Sequence, residues 1–166
     1  MCLDSAYYDT SVFLQSLNSE HDEHEASKRL LDARRITWSV GICVELSSAE
    51  STAAEYIEKF EVECASSGIN FIRVSNEESR RVSRRHVPLK RKLSECGFAG
   101  RDWLHLMSAV VCGSRALCTT DLDFWDPSNK ANPKARKRKV FVQRQIEDSL
   151  PIKILLPSEA IALPCC

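Results

Sequence analysis

The sequence predicts an α/β protein whose parallel β-sheet is covered by helices on both faces. Short apolar runs, typical of buried parallel strands, alternate along the 166 residues with amphipathic stretches typical of helices. Strands separated by helices are joined by crossover connections, which make neighbouring strands parallel. We therefore expect one domain over residues 1–166, a three-layer α/β/α sandwich with a five-stranded parallel sheet, with a basic loop over 126–139.

The first half of the chain is expected to supply three strands, at residues 5–9, 36–38 and 69–74. Thr10 or Ser11 can cap the helix that follows the first strand. Ser39 is a plausible cap for a helix after the second strand, which would carry Glu45 among apolar neighbours. Two further amphipathic stretches predict helices over residues 21–34 and 50–66.

The second half begins with a basic helix that Ser75 or Asn76 can cap and that Pro88 should interrupt. An apolar helix is expected over 101–112, where Gly113 ends it. The runs 115–118 and 152–156 predict the last two strands, and Pro157 opens a short final turn.

Composition narrows the class of protein. The formal net charge is zero, 43% of residues are hydrophobic and 28% are charged, as in ordinary globular proteins. No apolar run has the length of a membrane span, and the first ten residues do not follow the pattern of a signal peptide. The eight cysteines form no C-x-x-C pair, so we expect reduced thiols in a cytoplasmic protein that does not associate with membranes.

Positive charge is concentrated in two stretches, residues 80–92 and 130–139. Clustered cations attract the phosphates of nucleic acids even when the net charge is zero. The candidate RNA-contacting residues are Arg80, Arg81, Arg84 and Arg85. The alternative is a solvated helix face.

Acidic residues fall where the predicted strands end and where a helix begins. Asp9 follows the first strand, and Asp121 and Asp123 follow the fourth. Asp102 opens the helix before the fourth strand, and Glu45 lies on the helix predicted after the second. Carboxyl ends of parallel strands share one edge of the sheet, where ligands of α/β proteins bind.

Carboxylates that converge repel each other, and a divalent cation removes that repulsion. Oxygen ligands suit Mg²⁺ or Mn²⁺ and argue against zinc. Such an ion lowers the pKa of a bound water and stabilises charge on a phosphate, so hydrolysis of a phosphodiester is the expected chemistry.

In this arrangement the sequence resembles the PIN-domain nuclease family, over essentially the whole chain. The resemblance is carried by Tyr8-Asp9-Thr10-Ser11, Val44-Glu45-Leu46, Arg101-Asp102-Trp103-Leu104-His105-Leu106, Thr119-x-Asp121-x-Asp123-Phe124 and the stretch 152–160. The size is similar to that of the toxin ribonucleases of toxin–antitoxin pairs, the virulence-associated protein C type.

The resemblance implies Mg²⁺- or Mn²⁺-dependent endoribonuclease activity, a homodimer and inhibition by a small antitoxin protein. It assigns the acidic quartet to Asp9, Glu45, Asp102 and Asp121, with Asp123 as an auxiliary ligand. The hydroxyls of Ser11 and Thr119 would orient the carboxylates or the phosphate.

Two other functions are compatible with the same fold. One is a non-catalytic module that binds RNA or docks a partner. The other is a phosphohydrolase with an aspartyl nucleophile, for which Asp121-x-Asp123 has a suitable order, although no lysine or second acidic loop follows at a fitting place. His105 lies on the same helix as Asp102 and is interpreted as a base or as a satisfied core or interface histidine.

Overall fold

The sheet consists of short strands that all run in the same direction. In a computed structural model, which describes residues 5–32, 39–43, 51–98, 100–121, 124 and 142–163, they pair in the order β3-β2-β1-β4-β5. Side chains of residues 39–43, 51–53 and 101 lie outside this description. The strands are β1 (Ser5–Tyr8), β2 (Ser39–Cys43), β3 (Phe71–Val74), β4 (Ala116–Cys118) and β5 (Lys153–Leu155), and every neighbouring pair is parallel. The predicted α/β class with a parallel sheet is confirmed.

Helices follow or precede each strand. They are α1 (Thr10–Leu17), α2 (His24–Leu30), α3 (Ser51–Ser66), α4 (Asn76–Ser83), α5 (Val87–Ser94), α6 (Gly100–Val111), α7 (142–149) and α8 (Pro157–Ala162), with a 3-10 turn at Arg84–His86. None of the described helices has the length and apolar character needed to cross a membrane.

Alternate residues of β1 belong to two separate hydrophobic clusters, one on each face of the sheet. Ala6 and Tyr8 pack with side chains of α1, α2, α3 and α8. Tyr7 packs with side chains of α5, α6 and α7 on the other face. Because side chains alternate across a strand, helices thus cover both faces of the sheet.

The prediction of a helix after Ser39 is wrong. Ser39–Cys43 is instead the strand β2, which pairs with β1 on one side and with β3 on the other. Val40 and Ile42 are β-branched residues in a run that two flanking strands hydrogen-bond, and this tertiary pairing outweighs the local capping signal. The strand expected at 36–38 and Glu45 lie outside the described residues.

The predicted break of the basic helix at Pro88 is confirmed. α4 ends at Ser83, and α5 starts anew with Pro88 in its first turn. Ser75 caps α4 as predicted, since its hydroxyl accepts the Glu78 N–H at 3.3 Å while the Glu78 carboxylate accepts the Ser75 N–H at 3.0 Å. The Ser75 hydroxyl also donates to this carboxylate at 2.8 Å, and the two bonds that the carboxylate accepts, from the Ser75 backbone first and the Ser75 side chain second, lower the pKa of Glu78.

The helix α7 was not expected from the sequence, although its pattern is readable. Val142, Ile146 and Leu150 recur every four residues and are all buried in the cluster that holds Tyr7. Among the described cysteines, Cys64, Cys96 and Cys118 are free thiols, and burial raises the pKa of Cys118 to about 12.

Glu147 of α7 protects the outer edge of β5. Its Oε1 accepts the Ile154 N–H at 3.1 Å, a donor that points away from β4, and its Oε2 lies 2.9 Å from Lys153 Nζ. β5 in turn accepts the Thr119 N–H at Leu155 O, at 3.0 Å. The edge strand thereby holds the backbone at the end of β4 in place.

We expect Glu147→Ala to lower the free energy of unfolding by about 2 kcal/mol, because a charge-assisted bond to the backbone is lost. Lys153→Met should cost less than about 1 kcal/mol, since the ion pair that it removes is half exposed. Urea unfolding at pH 7 compares the two variants. Equal losses would show that the ion pair, and not the backbone bond, provides the stabilisation.

Candidate functional site

The site lies where the order of the strands reverses. From β1 the chain proceeds through β2 to β3, and then crosses back to β4 on the other side of β1. Such a switch point opens a crevice at the carboxyl ends of the two strands, and ligands of open α/β sheets bind there. Asp9 directly follows β1, and Thr119 directly follows β4; Asp9 N–H donates to Cys118 O at 3.0 Å.

Two hydroxyl groups converge on one oxygen of the buried Asp9 carboxylate. Oδ2 accepts the Thr119 hydroxyl at 2.6 Å and the Ser11 hydroxyl at 2.8 Å. The same hydroxyl oxygens accept the N–H groups of Asp121 at 2.9 Å and Thr120 at 3.0 Å. Each hydroxyl has a single proton, which it donates in its hydrogen bond to Asp9. The two hydroxyl oxygens lie 3.2 Å apart, but no proton is left to form a hydrogen bond between them.

The other oxygen of Asp9 has a different environment. Oδ1 lies 3.5 Å from His105 Nδ1, and among the described residues no group donates a hydrogen bond to it. The same imidazole nitrogen is 2.9 Å from the Tyr7 hydroxyl. Both side chains are well shielded, with 5% of Asp9 and 12% of His105 exposed. Oδ1 is therefore the atom of Asp9 that remains available to a ligand.

Asp102 and Asp121 belong to the two segments that contact this carboxylate, the helix α6 through His105 and the residues after β4 through Thr119. Asp102 is buried in the first turn of α6, three residues before His105, and residues with this spacing are neighbours on one helix face. A carboxylate in the first turn also interacts favourably with the helix dipole. Asp121 is half-buried, and its backbone is held by Thr119.

The predicted acidic site is brought together only in part. Asp9, Ser11, Thr119 and the backbone of Asp121 form one network, as their strand ends predict. Glu45 and Asp123 lie outside the described residues. Within the part that the structure describes, no group of three or more His, Cys, Asp or Glu side chains is arranged to hold a metal ion.

Arginines predicted to contact RNA are exposed on α4 and the turn after it. Arg80, Arg81 and Arg84 line a cavity of about 520 Å³, together with Ser75 and two acidic residues, Glu77 and Glu78. Arg85 is also exposed. Ser75 follows β3 directly, so this cavity begins at the same edge of the sheet as the Asp9 crevice.

Hydrogen bonds attach α4 to the helix that carries Asp102. Ser79 Oγ lies 2.7 Å from Ser108 Oγ, and Trp103 Nε1 donates to Ser83 Oγ at 2.6 Å. Trp103 is thus a packing residue that also positions the basic turn. These two bonds hold α4 and the turn after it, with their exposed arginines, against α6.

His105 has a partner and is largely buried, as the favoured interpretation expected, but its contact with Asp9 was not predicted. Its Nδ1 lies 2.9 Å from the Tyr7 hydroxyl and 3.5 Å from Asp9 Oδ1. Asp102 and His105, at i and i+3 on one predicted helix, were the available signal.

No family model, curated protein sequence or solved structure matches this chain. Fold and site together define an α/β protein with a parallel sheet and a buried carboxylate at the topological switch point.

Proposed function

We propose that the chain is a Mg²⁺- or Mn²⁺-dependent endoribonuclease with a PIN-like three-layer fold. The observation that carries this proposal is the Asp9 carboxylate, whose Oδ2 is saturated by two hydroxyl donors while Oδ1 has none among the described residues. A carboxylate held in this way is preorganised as a ligand, because its rotamer is already fixed before a cation arrives.

Acidic residues of the crevice have the donor chemistry that the cation requires. Asp9 Oδ1 and the carboxylates of Asp102 and Asp121 would hold it, with Glu45 and Asp123 as further predicted ligands. When bound, Mg²⁺ or Mn²⁺ supplies an activated water and stabilises negative charge on the phosphate. Ser11 and Thr119 act as positioning residues, since their hydroxyls hold Asp9 in place.

Exposed arginines that follow β3, at the same edge of the sheet as Asp9, fit the charge of the substrate. Arg80, Arg81 and Arg84 line one cavity, and Arg85 lies on the same turn. Guanidinium groups pair with phosphates in a bidentate way and without base specificity, so they would bind the RNA backbone.

The resemblance to toxin ribonucleases adds a cellular role to the proposal, that of the toxin in a toxin–antitoxin pair. It adds a homodimer, a cytoplasmic location and a small antitoxin partner that inhibits cleavage. Growth arrest when the chain is expressed without an antitoxin is the consequence that this extension requires.

The purified chain should cleave single-stranded RNA in the presence of about 1–5 mM MnCl₂ or MgCl₂, a concentration that occupies a weak site for a divalent ion. Chelation of the ion should abolish cleavage. Gel analysis of an end-labelled RNA measures the products. Binding of RNA without cleavage at saturating Mn²⁺ would contradict the proposal.

A second candidate is a non-catalytic module that binds RNA or docks a partner. It is favoured by the exposed arginines at the same edge of the sheet as Asp9, which can bind a phosphate backbone or an acidic partner without a metal ion. The same assay separates the two candidates, because a binding module retards the RNA without shortening it.

A further inference from the structure

We propose that His105 supplies a nitrogen ligand to the cation at Asp9, so that the site prefers Mn²⁺ to Mg²⁺. This inference rests on the proposed metal-dependent function and specifies the ligand set of the same site. His105 was expected to be a base or a packing residue, and neither role predicts coordination.

The first support is the geometry of the two side chains. Asp9 Oδ1 and His105 Nδ1 lie 3.5 Å apart, with both side chains largely shielded from solvent. Two atoms that bind one ion at about 2.1 Å each lie roughly 3.0 to 3.5 Å apart at octahedral or tetrahedral angles. The pair is thus spaced as two ligands of a single ion.

The second support is the position of Asp102. It lies three residues before His105 on α6 and is buried, so a carboxylate and an imidazole share one helix face. A carboxylate and a histidine at i and i+3 are the ligand pair that helices provide in di-iron and di-manganese proteins. Asp102 is therefore the next candidate ligand on this helix face.

Tyr7 determines the orientation of the imidazole before an ion binds. Its hydroxyl lies 2.9 Å from Nδ1, and this hydrogen bond fixes the imidazole ring with Nδ1 at 3.5 Å from Asp9 Oδ1. Coordination of Nδ1 replaces this hydrogen bond. Removal of the Tyr7 hydroxyl should therefore strengthen binding of the ion, whereas loss of a merely structural contact would not.

A nitrogen ligand changes the expected order of metals. Mg²⁺ is a hard cation that binds oxygen, while imidazole suits first-row transition metals. An Asp9–His105 site therefore favours Mn²⁺, although a site of oxygen ligands alone would accept either ion.

Mn²⁺ bound to the purified chain tests the assignment by electron spin-echo envelope modulation, which detects a directly coordinated imidazole nitrogen. We expect ¹⁴N modulation in the unaltered chain and in Tyr7→Phe, and its loss in His105→Gln. The affinity for Mn²⁺, measured by the decrease of the electron paramagnetic resonance signal of the free ion, should fall by at least about 10-fold in His105→Gln, because a direct ligand contributes no less than a supporting residue. The affinity for Mg²⁺ should change less.

His86→Gln is the matched control, since the described partners of the Asp9 carboxylate are Ser11, Thr119 and His105 and do not include His86 of the 3-10 turn. This variant should retain the ¹⁴N modulation. The assignment of His105 would be overturned if the unaltered chain binds Mn²⁺ without ¹⁴N modulation and Asp9→Asn fails to bind the ion. That result would leave the nuclease proposal intact. A chain that binds no Mn²⁺ at all would overturn both. Circular dichroism establishes that His105→Gln is folded before the affinities are compared.

Discussion

Asp9→Asn should abolish metal-dependent RNA cleavage while the protein remains folded. The amide oxygen can take the place of Oδ2 and still accept the hydroxyls of Ser11 and Thr119. The amide NH₂ then occupies the position of Oδ1, where it offers a donor to a cation instead of a lone pair. We expect the rate of cleavage to fall at least about 100-fold, since loss of a ligand exceeds the effect of losing a supporting residue.

Asp148→Asn is the matched control, because Asp148 is exposed on α7 and the substitution is chemically the same. It should cleave RNA at the rate of the unaltered chain. Initial rates with end-labelled RNA at saturating Mn²⁺ measure both variants, and urea unfolding establishes that both are folded. Cleavage by folded Asp9→Asn at the unaltered rate would rule out Asp9 as a metal ligand.

Thr119→Val should be the most destabilising conservative substitution in the site. It removes the donor to Asp9 Oδ2 and leaves the Asp121 N–H without the acceptor that it has at 2.9 Å. A lost bond to a charged group together with an unpartnered backbone donor costs about 2 to 3 kcal/mol. The midpoint of urea unfolding should decrease accordingly, without a change in the slope of the transition.

The neighbouring residue offers a control of the same size. Among the described residues, the Thr120 side chain hydroxyl is buried and has no hydrogen-bond partner. Thr120→Val therefore removes a buried polar atom that makes no bond, and should leave the stability unchanged or raise it by up to about 1 kcal/mol. Similar losses for both valine variants would contradict the network at Asp9.

Several elements could be predicted because their signals are local. Ser75 and Glu78 have the spacing of a capping box, and Pro88 cannot continue a helix, so α4 and α5 are separated where expected. Asp9 follows an apolar run that is buried on both faces, and its place at the carboxyl edge of the sheet follows from that alone.

β2 could not be predicted in the same way. Its residues carry a capping signal at Ser39 as well as an apolar run, and both a helix and a strand satisfy the local pattern. The hydrogen bonds that decide between them come from β1 and β3, which are distant in the chain. Tertiary pairing of this kind overrides local preference.

The sequence alone determined the α/β class, the parallel sheet and the positions of Asp9, Thr119 and Asp121 at strand ends, because hydrophobic periodicity reports burial directly. Only the tertiary structure decided which atoms meet. Thr119 and Asp9 are 110 residues apart, and His105 reaches the same carboxylate from α6. Packing of α6 on the sheet determines these contacts. No local pattern in the chain therefore shows that Asp9 Oδ2 accepts two hydroxyl groups while Oδ1 remains available to a ligand.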